Sequence, residues 1–235
     1  MIVRLTLEYD GTGFSGWARQ PGRRTVEGVL RDALDAVFPS WSGLAVAGRT
    51  DAGVHATGQV ASVSVAGGPP PERAVEALNA ELPDDVAVLT AEEAPPGFHA
   101  RFSARSRCYR YAVLNRRSRS GLGARRLLWW PRPLDDAVLD AAAALLPGEH
   151  DFRAFTPAQT QHAVFRRTVL AARWERDGDR LHFTITADSF LRHMVRTLVG
   201  TMLERGDEAL EDLLRGRLRS APCATPSSCS TSTAR

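Results

Sequence analysis

Lysine is absent from the 235 residues, so all thirty cationic side chains apart from histidine are arginine. That excludes Schiff-base chemistry and the phosphate-binding lysine of P-loop enzymes. Cysteine is scarce as well. Cys108 stands alone in an alternating segment, and Cys223 and Cys229 fall in a serine- and threonine-rich tail, which is no disulfide framework. With no C-x-x-C pair and six scattered histidines, neither a metal nor a cofactor is expected. No apolar run reaches membrane-spanning length, and Met1 leads straight into a strand pattern without a signal-like segment. A cytoplasmic protein without membrane association is the reading that follows.

Acid is missing where its absence says most. Between Glu93 and Asp135 there is no Asp or Glu, yet Arg101, Arg105, Arg107, Arg110, Arg116, Arg117, Arg119, Arg125, Arg126 and Arg132 all lie there. Tyr109, Tyr111, Trp129 and Trp130 are interleaved with them. Cations beside planar groups suit a surface that contacts RNA phosphates and bases; a solvated, arginine-rich loop is the alternative. The net charge is only +3, so the distribution carries more than the sum.

What is present reads as an α+β chain in two similar halves, 1–104 and 105–218, followed by a tail over 219–235. Val3, Leu5 and Leu7 alternate with polar residues, as in a half-buried strand. Thr25 is placed to cap a helix whose apolar face is Val26, Val29, Leu30, Ala33, Leu34 and Val37, and Phe38-Pro39 stops it. Strands at 44–47, 60–65 and 86–89 and a short helix about Ala74, Val75 and Leu78 complete a strand-helix-strand-strand-helix-strand half. In the second half, residues 107–114 alternate, 134–146 are helical, and 167–174 and 181–187 flank a hairpin signal at Asp177-Gly178-Asp179. A long helix is expected from Phe190 onward, with Arg192, His193 and Arg196 on a polar stripe beside its apolar face.

Two glycine-rich stretches bear on chemistry. Gly11-Thr12-Gly13-Phe14-Ser15-Gly16 formally matches the dinucleotide fingerprint G-x-G-x-x-G, which would make the chain an oxidoreductase. The fingerprint requires a helix opening directly on the glycines, whereas residues 17–24, with Pro21-Gly22 as a turn, intervene. The other stretch is Gly48-Arg49-Thr50-Asp51-Ala52-Gly53-Val54-His55-Ala56-Thr57-Gly58-Gln59, a polar loop between two strands. One carboxylate, Asp51, sits among three glycines with Arg49 two residues before it, which is the form of a built site. A side chain capping its own turn is the simpler account of a lone loop Asp. Taken one at a time, a strand tyrosine such as Tyr109 is usually core and a helix arginine such as Arg196 is more often solvated than a catalytic partner.

Residues 48–56 resemble the active-site loop of the tRNA pseudouridine synthase A family. The resemblance recurs in order at Glu8-Tyr9-Asp10-Gly11, Gly16-Trp17, Phe98-His99-Ala100-Arg101-Phe102, Tyr109-Arg110-Tyr111, Gly148-Glu149-His150-Asp151-Phe152 and Phe190-Leu191-Arg192-His193-Met194-Val195-Arg196. It implies the pseudouridine synthase fold, two mainly antiparallel sheets with helices on one face and a cleft between the halves. It implies isomerisation of uridine in the anticodon stem-loop of tRNA, by a homodimer and without a cofactor. Asp51 is then the catalytic acid, Arg196 its charge partner and Tyr109 the residue against the uracil ring. Arg49 fills the space that the flipped base vacates, and with Arg101, Arg107 and Arg110 it makes up the substrate-binding set. At its end the chain departs from the family pattern, which has an apolar Gly-Leu-containing strand where residues 223–235 offer no large apolar side chain. A disordered tail is expected there, and with it a second reading, an RNA-binding module of impaired catalysis.

Overall fold

The computed structural model describes residues 1–159, 163–216 and 229–232, the last four as backbone alone. Two compact units result, one built on Met1–Arg107 and the other beginning at Cys108. Among the described residues no helix is long and apolar enough to cross a membrane.

In the first unit the alternation of Val3, Leu5 and Leu7 produces β1 (Ile2–Tyr9), whose inward residues are almost wholly buried. Thr25 caps α1 (Val26–Val37) by accepting the Gly28 N–H at 3.2 Å, and Leu30, Ala33 and Leu34 form its buried face. The helix ends at Val37 because Phe38, which precedes Pro39, takes an extended conformation. Then follow β2 (Ser40–Val46), β3 (His55–Ala66), α2 (Pro71–Glu81), β4 (Val86–Glu93) and a single turn, α3 (Ala100–Ser103). The sheet runs β4-β1-β3-β2, antiparallel throughout.

β3 is buried on both faces from Gly58 to Val63, with small Ala61 and Ser62 between Val60 and Val63. Ala61, Val63 and Val65 join Leu5, Leu7, Leu30, Leu34 and Leu78 in one core, while Val60 packs on the opposite face with Ala47 and Ala100. Each fully buried leucine contributes about 2 kcal/mol to the fold. The β1–β3 register slips between Leu7, opposite Gln59, and Tyr9, opposite Ala56. A bulge at Thr57 and Gly58 therefore lies just after the polar loop and re-aims the chain entering the sheet.

The tail expected to be disordered over 219–235 lies outside the described residues except for Cys229–Ser232. There the backbone runs as a further short strand, with Ser230 and Thr231 parallel to His55 and Ala56. Pairing of this kind uses main-chain groups, so the absence of large apolar side chains does not forbid it.

The second unit contains β5 (Arg107–Leu114), β6 (Leu128–Trp129), α4 (Asp136–Ala144), β7 (Gly148–Asp151), β8 (Arg166–Asp177), β9 (Arg180–Ala187) and α5 (Met194–Leu214). Its sheet runs β5-β9-β8-β7, with β6 beside β5 in parallel. Phe183, Ile185, Trp174, Leu139, Leu198 and Met202 are buried within it. The Asp177-Gly178-Asp179 signal is the β8–β9 turn, where Gly178 has φ 55°. The strands β6 and β7 are not foreseen from sequence, being only two and four residues long.

The long helix starts later than its apolar pattern implies. Leu191 is buried and its carbonyl accepts the Met194 N–H at 3.2 Å, closing a turn in which His193 has φ 62°. That left-handed residue breaks the helix, so Arg192 and His193 precede α5 and only Arg196 of the expected polar stripe belongs to it. Gly206, at φ 76°, interrupts α5 further along.

Candidate active site

The loop between β2 and β3 is fixed at its centre. Thr50 is buried, whereas Arg49 before it is exposed and Asp51 after it is half-buried. The Tyr9 hydroxyl lies 2.8 Å from Thr50 Oγ1, and Trp17 donates its backbone N–H to the Thr50 carbonyl at 3.0 Å. Gln59 is buried and spends its side-chain amide on two acceptors, the Gly48 carbonyl at 2.8 Å and the Tyr9 hydroxyl at 3.2 Å. Thr50 is thus held against the core, while Arg49 and Asp51 on either side of it are the more open to solvent. The chain then reverses through Asp51-Ala52-Gly53-Val54. The Asp51 carbonyl accepts the Val54 N–H at 3.2 Å, and Gly53 has φ 77°, the geometry of a type II turn.

The glycines of the 11–16 stretch have a steric purpose unrelated to a dinucleotide. A Cβ on Gly11 would stand 2.0 Å from the Val54 carbonyl oxygen, and one on Gly16, where φ is 95°, would stand 2.8 Å from the Thr50 oxygen. The Phe14 carbonyl accepts the Gly53 N–H at 3.3 Å. The stretch is thus a floor on which residues 50–54 lie. A 3-10 turn, Gly11–Gly13, follows β1 in place of the helix that the fingerprint requires. His55, just beyond the loop, directs Nδ1 to Asp10 Oδ1 at 3.0 Å and so ties the start of β3 to the same floor.

Arg107, expected as a substrate contact, is engaged with backbone carbonyls of the first unit. Its guanidinium donates to the Ala47 carbonyl from Nε at 2.9 Å and from a terminal nitrogen at 2.6 Å. It also reaches the Arg101 carbonyl at 2.9 Å and that of Ala104 at 3.5 Å. These bonds tie the entry of the loop to the turn α3. Beside that turn the Arg101 side chain is exposed, 5.5 Å from the ring of the exposed Phe102, and His99 stacks on Phe102 at 4.4 Å.

Asp51, Arg49, Arg101 and Arg107 belong to the first unit, and Tyr109, Arg110 and Arg196 to the second. Tyr109 is half-buried on β5 with its ring edge-on to Phe190, the centroids 4.8 Å apart at 73°. Arg110, next on the strand, is exposed. Its charge is felt by His182, whose pKa lies below the ordinary histidine value, chiefly through burial and then through Arg110 and Arg180. Arg196 is half-buried in the first turn of α5. Of the loop arginines, Arg117, Arg119, Arg125 and Arg126 are exposed, and Arg132 lies over the Trp130 ring at 4.1 Å.

Sequence reasoning missed Tyr9, Thr50 and Gln59. Tyr9 ends an alternating strand and Gln59 opens one, so their polar atoms look incidental. The available signal was two polar side chains, Tyr9 and Gln59, at strand positions where alternation demands burial; Thr50, in the loop, gave none.

A family model described as tRNA pseudouridine synthase matches residues 6–103 and 142–229. The tRNA pseudouridine synthase A of Moorella thermoacetica is 42% identical over 225 residues, covering 92% of this chain and 91% of that protein. The protein of the same name from Bartonella tribocorum is 40% identical over 206 residues, covering 86% and 83%. That of Bartonella bacilliformis is 39% identical over 234 residues, covering 95% of each.

Proposed function

The chain belongs to the tRNA pseudouridine synthase family and isomerises uridine to pseudouridine in tRNA, and we propose that Asp51 is the carboxylate on which its turnover depends. The observation that carries this is the buried Thr50, between exposed Arg49 and half-buried Asp51, on a loop fixed by Tyr9, Gln59 and Trp17. The reaction breaks the bond from uracil N1 to the sugar, turns the base, and joins C5 to the same sugar carbon, the C5 proton leaving as N1 takes one up. It adds nothing and changes no oxidation state, so a carboxylate and a closed pocket are sufficient. Asp51 acts ionised, against the charge that develops as the base departs. The sequence resemblance gives Arg196 the role of charge partner to that carboxylate and gives Tyr109, whose ring is edge-on to Phe190, the role of meeting the uracil ring. Arg49 takes the place of the extruded base, because a uridine must leave its stack to be reached.

The substrate region is the anticodon stem-loop and the protein a cytoplasmic homodimer, as the sequence resemblance implies. Exposed Arg101 and Arg110 contact phosphates, and the acid-free stretch over 94–134 supports RNA as the partner. Chemical mapping of pseudouridines in tRNA treated with the protein tests this: new modifications confined to the anticodon stem-loop and lost with Asp51→Asn are expected. Modification elsewhere overturns the substrate region; modification by the variant overturns the residue.

A further inference from the structure

We infer that Tyr9 is a positioning residue for the reaction, acting through Thr50 on the direction of the Asp51 side chain. The inference rests on the reading of Asp51 as the catalytic carboxylate. Three buried polar side chains meet beneath the loop: Tyr9 from the end of β1, Gln59 from β3 and Thr50 from the loop itself. Their bonds form a chain from the Gly48 carbonyl through Gln59 Nε2 to the Tyr9 hydroxyl and on to Thr50 Oγ1, at 2.8, 3.2 and 2.8 Å. The two ends of this chain are the residue before Arg49 and the residue before Asp51. It therefore clamps both sides of Arg49 and the near side of Asp51 without taking up either of their side chains.

Core packing alone does not call for these groups. Phenylalanine would fill the place of Tyr9 beside Trp17, whose ring centroid is 6.0 Å away, and valine has the shape of Thr50. What the hydroxyls add is direction, since a hydrogen bond fixes the Thr50 rotamer and with it the path of the backbone into Asp51. A loop left slack at Thr50 lets the carboxylate that follows wander, and misplacement of a reacting group by about 1 Å costs on the order of 100-fold in rate.

The test is single-turnover kinetics and tRNA affinity measured together on the full chain. Tyr9→Phe is expected to slow the chemical step by about 10- to 100-fold while the tRNA dissociation constant stays within about twofold. Thr50→Val should act the same way, Thr50→Ser should keep most of the rate, and Tyr9→Phe combined with Thr50→Val should be no worse than either alone. A Tyr9→Phe protein turning over within about twofold of the parent overturns the inference, as does a loss of rate that only tracks the unfolded fraction in a matched thermal scan. Asp51→Asn is the control. If it turns over like the parent, the reading of Asp51 fails first; if it is inactive while Tyr9→Phe is unaffected, only the positioning role falls.

Discussion

The guanidinium of Arg107 holds the carbonyl of Ala47, the last residue before the Asp51 loop, through two bonds of 2.9 and 2.6 Å. A side chain so occupied is a strut for the loop, which separates it from the exposed arginines nearby. Arg107→Ala should therefore cost about 2 kcal/mol in denaturant unfolding, the usual worth of charge-assisted bonds to carbonyls. The salt dependence of tRNA binding should keep its slope. Arg101→Gln and Arg110→Gln should do the reverse, each lowering the slope of log affinity against log salt by about one with little change in stability.

Gly11 and Gly16 allow the loop to lie against its floor. Gly11→Ala drives a methyl group into the Val54 carbonyl, and Gly16→Ala strains a residue at φ 95° against Thr50. Each should destabilise by about 2–3 kcal/mol and reduce turnover at least about tenfold. Gly22→Ala is the comparison: at φ 67° with nothing within 4 Å, it should cost about 1 kcal/mol and leave turnover intact. Equal turnover in all three would remove the steric argument.

Those glycines show how far the sequence can be read. The polar loop is legible because a strand pattern on each side isolates it, and α1 because Thr25 and a clean apolar stripe bound it. The dinucleotide match in 11–16 can be rejected from the residues that follow, but its true role needs the distance to Val54, a partner some forty residues away. The start of α5 escapes the sequence for a similar reason. Apolar periodicity runs on through Phe190 and Leu191, and only the turn at His193 shows that they precede the helix. Arg107 looks like any other member of an arginine run, because sequence cannot show which guanidinium meets carbonyls and which meets solvent.

His182 gives the second unit a pH dependence of known sign. Its folded-state pKa is depressed, first by burial and then by Arg110 and Arg180, with Asp177 and Glu175 acting the other way. The folded form thus favours neutral imidazole. Stability from this group is complete above the unfolded value of about 6.5 and is lost as the pH falls below it toward the folded pKa. Denaturant midpoints at pH 7.5 and pH 5.5 should show the parent losing more stability on acidification than His182→Gln. Equal losses would place the effect elsewhere.

Tritium release from tRNA labelled at uridine C5 reads the reaction itself, since the label leaves when C5 becomes the carbon joined to the sugar. The parent should release tritium, while Asp51→Ala should bind the same tRNA with similar affinity and release none above background. Release by Asp51→Ala at the parent's rate would contradict the assignment of that carboxylate, and with it the catalytic purpose of every contact that holds its loop.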